Sequence, residues 1–177
     1  MRDGMDQKLQ QAQALHKTGA LVEAKRLYEA ILAQQPRHFG ALQGLGLLAY
    51  QGGALAIAET LLERAAAVRP DDAPTQFHRG NLLHRMGRPE DALVAYDRAV
   101  ALDPKHAAAN ANRGVMLERM GRLEEAIAAF DRAIAAKPDF TSAHFNRGNV
   151  LQQAKRFADA LESYDRALAL EPHHADA

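Results

Sequence analysis

Small and large apolar residues recur along this chain with a period of 34, and five prolines, Pro36, Pro70, Pro104, Pro138 and Pro172, keep the same beat. Aligned on those prolines the sequence falls into five blocks, 5–38, 39–72, 73–106, 107–140 and 141–174, with short tails at 1–4 and 175–177. A small residue stands early in each block: Ala12, Gly46, Gly80, Gly114 and Gly148. A second small column reads Ala24, Ala58, Ala92, Ala126 and Ala160, and a large apolar one reads Tyr28, Leu62, Tyr96, Phe130 and Tyr164. A third small column, Ala65, Ala99, Ala133 and Ala167, begins with Ile31 in the first block. A period of this length marks an array of helix-turn-helix modules, so the pattern predicts ten short helices, two per block.

Each column answers a packing need. Paired helices approach closely only where small residues line the contact, and the large apolar column is expected to fill the gap between modules. Glycine inside a helix costs about 1 kcal/mol against alanine, so Gly80, Gly114 and Gly148 require such a contact. A second glycine set, Gly19, Gly53, Gly87 and Gly121, fits the left-handed position that ends a first helix. The fifth block has Lys155 there, and its turn is expected to be less well determined. Second helices open with acidic groups (Glu90-Asp91, Glu124-Glu125, Asp159) that oppose the helix dipole, and Pro89 suits a first turn. They stop just ahead of the block-ending proline, as in Leu102-Asp103-Pro104, because the residue before proline leaves helical geometry.

Asn112-Arg113-Gly114, Gly121-Arg122-Leu123-Glu124-Glu125-Ala126 and Phe130-Asp131-Arg132-Ala133 followed by Pro138 closely resemble the tetratricopeptide repeat. Blocks three to five carry the resemblance most fully. Block two has Leu62 for the usual aromatic, and block one keeps Gly19, Ala24, Tyr28 and Pro36. The resemblance implies an all-α fold, a right-handed α-solenoid of antiparallel helix pairs. It also implies a concave face, lined by first helices, that holds an extended peptide or a partner helix.

Composition narrows the function classes. Basic and acidic residues balance, 22 against 22, and do so within residues 1–72 (eight each) and 73–177 (fourteen each). With no basic face, nucleic acid is disfavoured as a partner. There is no cysteine, hence no thiol nucleophile and no thiolate metal site. No stretch reaches the length of a membrane span, and a cytoplasmic location is the simplest reading. Eight histidines include the adjacent His173-His174, with His38 and His106 in loops, but none has ligand spacing. The two serines, Ser142 and Ser163, lie outside any nucleophile turn. Gly44-Leu45-Gly46 is helical and follows no strand, so it is no phosphate loop. Neither enzyme chemistry nor a cofactor is expected.

Function is therefore sought on first-helix positions that packing leaves open. One such column reads Gln10, Gly44, His78, Asn112 and Asn146, and another reads Gln13, Leu47, Asn81, Val115 and Asn149. Asparagine is a poor helix former, and its amide both donates to and accepts from a peptide backbone. His78, Asn81, Asn112, Asn146 and Asn149 are the expected peptide-binding set, with water or neighbouring backbone as the plainer alternative. Arg85 and Arg119 lie one turn on, at the rim of that face, either meeting an acidic ligand or simply solvated. Phe77 and Phe145 are ligand anchors if exposed, with packing between repeats the preferred reading. Family members that clamp the acidic C-terminus of heat-shock chaperones need cations on three repeats. The matching places here hold Phe77, Asn81, Asn112, Ser142 and Asn146, so no such clamp is expected.

The two ends differ. Gln7, Lys8, Gln10, Gln11 and Gln13 give the first helix a polar, capping character. The last helix carries Phe157, Leu161, Tyr164 and Leu168 with little to follow, although Ala175-Asp176-Ala177 resembles the opening of another repeat. That leaves two expectations: a chain cut from a longer protein, or a homo-oligomer formed through the open apolar face. Block two, at Leu42–Ala49, is also similar to the repeats of bacterial proteins related to the O-linked N-acetylglucosamine transferases. That similarity implies a substrate-recognising arm of a glycosyltransferase as the alternative to a free-standing scaffold.

Overall fold

A computed structural model describes residues 2–171. The described residues form ten helices: α1 (Arg2–Lys17), α2 (Leu21–Gln34), α3 (Phe39–Gln51), α4 (Leu55–Val68), α5 (Ala73–Arg85), α6 (Pro89–Leu102), α7 (Ala107–Arg119), α8 (Leu123–Ala136), α9 (Thr141–Gln153) and α10 (Phe157–Leu170). The fold is all-α, built from antiparallel helix pairs. The chain divides into two compact units, Met1–Arg88 and Pro89–Ala177. In the first, α1 and α2 pair, α3 and α4 pair, and α3 packs on α2 as α5 packs on α4. In the second, α7 pairs with α8 and α9 with α10, while α7 packs on α6 and α9 on α8. Pro172, His173-His174 and the tail at 175–177 lie outside the described residues.

Helix starts and stops follow local chemistry. His38 and His106, placed in loops by the sequence, cap α3 and α7: each Nδ1 accepts the backbone N–H three residues on, at 3.2 Å. Asp72 does the same for α5, accepting from Thr75 N–H at 2.8 Å. Glu90-Asp91, Glu124-Glu125 and Asp159 all lie in first turns. At the far end, Gly121 has φ 72°. Its N–H donates to the Glu118 carbonyl at 2.8 Å and that of Arg122 to the Leu117 carbonyl at 2.9 Å. This paired arrangement closes the helix end.

Lys155 overturns one expectation. Its turn is as well determined as the others, because it too takes the left-handed conformation, at φ 60°. Lys155 N–H donates to the Gln152 carbonyl at 3.0 Å and Arg156 N–H to the Leu151 carbonyl at 2.8 Å. The two hydrogen bonds and the packing of α9 on α10 hold a conformation that costs an L-residue about 1–2 kcal/mol.

The large apolar column also sits differently from expectation. Leu62, Phe130 and Tyr164 lie inside their hairpins rather than only between modules. A Cβ placed on Gly114 would stand 2.8 Å from the Phe130 ring, and one on Gly148 would stand 2.5 Å from the Tyr164 ring. These glycines are therefore the floor on which the aromatic of the paired helix rests. Tyr28 is the exception: with Ala12 on its own hairpin, its ring rests on Gly44 of the next. Tyr28, Tyr96 and Phe130 are wholly buried, and burial of a side chain that size contributes about 1.5–3 kcal/mol.

A buried polar column holds each loop to the helix behind it. Gln76, Asn110 and His144 occupy the same place in their blocks, and all are buried. Gln76 Nε2 donates to the Pro70 carbonyl at 3.4 Å, and Asn110 Nδ2 to the Pro104 carbonyl at 3.1 Å. His144 Nε2 lies 2.9 Å from the Pro138 carbonyl. Block two has Leu42 at this position, and there Arg64 donates to the Pro36 carbonyl at 2.7 Å instead. The carbonyls of Pro70, Pro104 and Pro138 are partly buried and that of Pro36 meets an exposed arginine, and each is given an N–H by whatever means the sequence allows.

Candidate functional site

Within each unit the first helices carry the expected residues, partly open to solvent. In the first unit Gln13, Gly44 and Leu47 line a recess of about 380 Å³ between α1 and α3, and His78 and Asn81 are half-buried on α5. In the second unit Asn112, Asn146 and Asn149 are half-buried on α7 and α9. Partial burial is what a contact surface needs: the side chains are positioned by neighbours yet still reach solvent.

The amides differ in how far the fold has engaged them. Asn112 Nδ2 points at the Tyr96 hydroxyl across 3.4 Å. Asn149 Oδ1 accepts from the Tyr164 hydroxyl at 2.8 Å, and Gln152 Oε1 lies 3.0 Å from the same oxygen. Burial, and secondarily the Glu118 carboxylate, push the Tyr164 phenol above its ordinary pKa, so it stays a donor. Among the described residues no side-chain hydrogen bond reaches Asn146, which keeps its full donor and acceptor capacity.

Arg85 is exposed. It donates to the Tyr50 carbonyl at 2.9 Å and lies over the Tyr50 ring at 5.1 Å. Arg119 is exposed, as expected of a rim residue. Phe145 does not pack between repeats: it is 52% exposed, leaning on Tyr164 with ring centroids 5.7 Å apart, whereas Phe77 is half-buried. Phe157, Leu161 and Leu168 are exposed on α10 and Tyr164 is half-buried beside them. Phe145, Tyr164 and Leu168 line a second, apolar recess of about 710 Å³ with Phe140 and Ala167.

Sequence reasoning missed the polar links between neighbouring hairpins. Arg113 Nε donates to Asp97 at 2.5 Å, and Arg147 Nε to Asp131 at 2.6 Å. The signal was present: Asn-Arg-Gly follows Asp-Arg-Ala at the same spacing of 16 in both places. A second link joins successive first helices near their ends, 35 residues apart. It is His16–Gln51 at 2.9 Å, Arg85 to the Tyr50 carbonyl, and Gln153–Glu118 at 2.6 Å.

Comparison with known proteins gives a consistent answer. A family profile for the tetratricopeptide repeat matches residues 9–75 and 77–141, and a second one matches 141–174. No relative was found among curated proteins. Several solved structures share the fold. MamA from Desulfovibrio magneticus RS-1 is 20% identical, with 97% of each chain covered and a TM-score of 0.84. YrrB, described as a TPR protein with an unusual peptide-binding site, is 24% identical, with 95% of this chain and 87% of that one covered and a TM-score of 0.81. PilF from Pseudomonas aeruginosa is 18% identical, covering 95% of this chain and 77% of its own, with a TM-score of 0.85. No helix among the described residues is long and apolar enough to cross a membrane.

Proposed function

Since the chain belongs to the tetratricopeptide repeat family, we propose that it is a non-catalytic scaffold that binds an extended peptide on the open face of its first helices. The observation that carries this reading is the set of half-buried amides, with Asn146 unengaged by the fold. An amide that both donates and accepts satisfies a strand-like main chain regardless of the peptide's sequence. Asn112 makes a contact of 3.4 Å to the Tyr96 hydroxyl, at the long end for a hydrogen bond. His78 and Asn81 supply the same chemistry in the first unit. The peptide site named in the description of YrrB supports the reading by family relation alone.

The test is selection of random linear peptides against the parent chain, with affinities then compared against an Asn112→Ala/Asn146→Ala variant of unchanged circular dichroism. Loss of two main-chain hydrogen bonds is expected to weaken binding about tenfold or more. Equal affinity of both proteins for every selected peptide would overturn the assignment of this face.

A further inference from the structure

Two of the three tyrosines in the large apolar column meet an amide. Asn112 stands at the Tyr96 hydroxyl, sixteen residues on, and Asn149 and Gln152 meet that of Tyr164. Sixteen residues after Tyr28 the chain has Gly44 instead. Tyr28 is only 1% exposed, yet its hydroxyl makes no hydrogen bond among the described residues. A buried hydroxyl without a partner is unfavourable until something supplies one. Gly44 leaves the approach open, since a Cβ there would stand 2.7 Å from the hydroxyl oxygen. Tyr28 and Gly44 both line the recess of about 380 Å³ between α1 and α3, which lies wholly within the first unit. Burial holds the phenol above its ordinary pKa, so it remains a donor at neutral pH.

The rest of the lining offers one group of each kind. Gln43 Nε2 donates to Asp72 at 3.2 Å and to the Thr75 hydroxyl at 2.8 Å, which leaves its Oε1 as an acceptor. Gln51 Oε1 accepts from His16 Nε2 at 2.9 Å, which leaves its Nε2 as a donor. The Asp72 carboxylate that holds Gln43 opposes an anion, and Lys17, also in the lining, opposes a cation. A neutral group that both donates and accepts fits all of these. We infer that the recess takes a carboxamide side chain, glutamine or asparagine, of a bound peptide, which brings to Tyr28 the amide that Asn112 brings to Tyr96. This rests on the reading of the first helices as a peptide-binding face and adds to it the one side chain the peptide must carry.

The probe is a library of random linear peptides selected on the full chain, and the selected peptides are expected to share a glutamine or asparagine at one position. The tightest of them is labelled with fluorescein and titrated, beside versions in which that residue is the matching acid or methionine. Methionine in the peptide and Tyr28→Phe in the protein are each expected to weaken binding about tenfold, with no further loss when combined. Tyr28→Phe removes a hydroxyl that the fold does not use, so circular dichroism should match the parent. Binding indifferent to the carboxamide or to Tyr28→Phe overturns the inference. So does tighter binding of the acid, which gives the recess to an anion held by Lys17. Peptides that need Asn112 and Asn146 but ignore Tyr28 overturn this inference alone, whereas failure to select any peptide overturns the peptide-binding reading with it.

Discussion

His144 Nε2 lies 2.9 Å from the carbonyl oxygen of Pro138, six residues back along the chain. Asn110 makes the equivalent bond to Pro104, so an amide and an imidazole perform one task. Removing the donor leaves a partly buried carbonyl unsatisfied. His144→Ala and Asn110→Ala are each expected to lower stability by about 1–3 kcal/mol in urea denaturation, while His144→Asn retains most of it. A His144→Asn loss as large as that of His144→Ala would show that the imidazole acts by packing alone.

Gly148→Ala tests the floor under Tyr164. The added methyl meets the ring at 2.5 Å, and the ring is fixed on the opposite side of the hairpin. A loss of about 1–3 kcal/mol is expected, with part of it recovered when Tyr164 is shortened to Leu, the residue block two carries at Leu62. Additive losses in the double variant would mean that methyl and ring do not meet.

Lys155→Gly is expected to raise stability by about 1 kcal/mol, because it relieves a left-handed lysine while keeping both closing hydrogen bonds. The reciprocal change, Gly121→Lys, should lower stability by a similar amount. Thermal midpoints of the two variants moving in the same direction would contradict this.

Burial raises the Tyr28 phenol above the ordinary tyrosine pKa. A group raised on folding stabilises fully below its unfolded pKa, near 10, and that contribution is lost as pH climbs through the folded value. Stability of the parent should therefore fall as pH rises above about 10, more steeply than that of Tyr28→Phe. Parallel alkaline profiles for the two proteins would refute it.

Much of this architecture is legible because the same residue types return at the same places. The Gly and Ala columns, the helix-ending glycines and the prolines repeat almost by letter, and the half-buried positions of Asn112 and Asn146 follow from them. What was hidden is what the blocks solve differently. Gln76, Asn110 and His144 share a hydrogen bond but no letter, and in block two Arg64 performs the task from another helix. Phe145, for which packing between repeats is the preferred reading, is instead 52% exposed and leans on Tyr164 of its own hairpin. Lys155 shows that a conformation can persist after the residue type that favours it has gone. The Arg85 hydrogen bond was hidden because its partner is a backbone carbonyl, which has no letter.

The links 35 residues apart carry a consequence for order. The ion pairs Arg113–Asp97 and Arg147–Asp131 are alike, so they would join one hairpin to another indiscriminately. His16–Gln51, Tyr50–Arg85 and Glu118–Gln153 are all different. A hairpin moved elsewhere in the chain would keep its adhesive bond but bring the wrong group to the second one: Gln153 set against Tyr50 loses the ring contact that Arg85 makes. Common bonds glue these modules together, and private ones give each module an address.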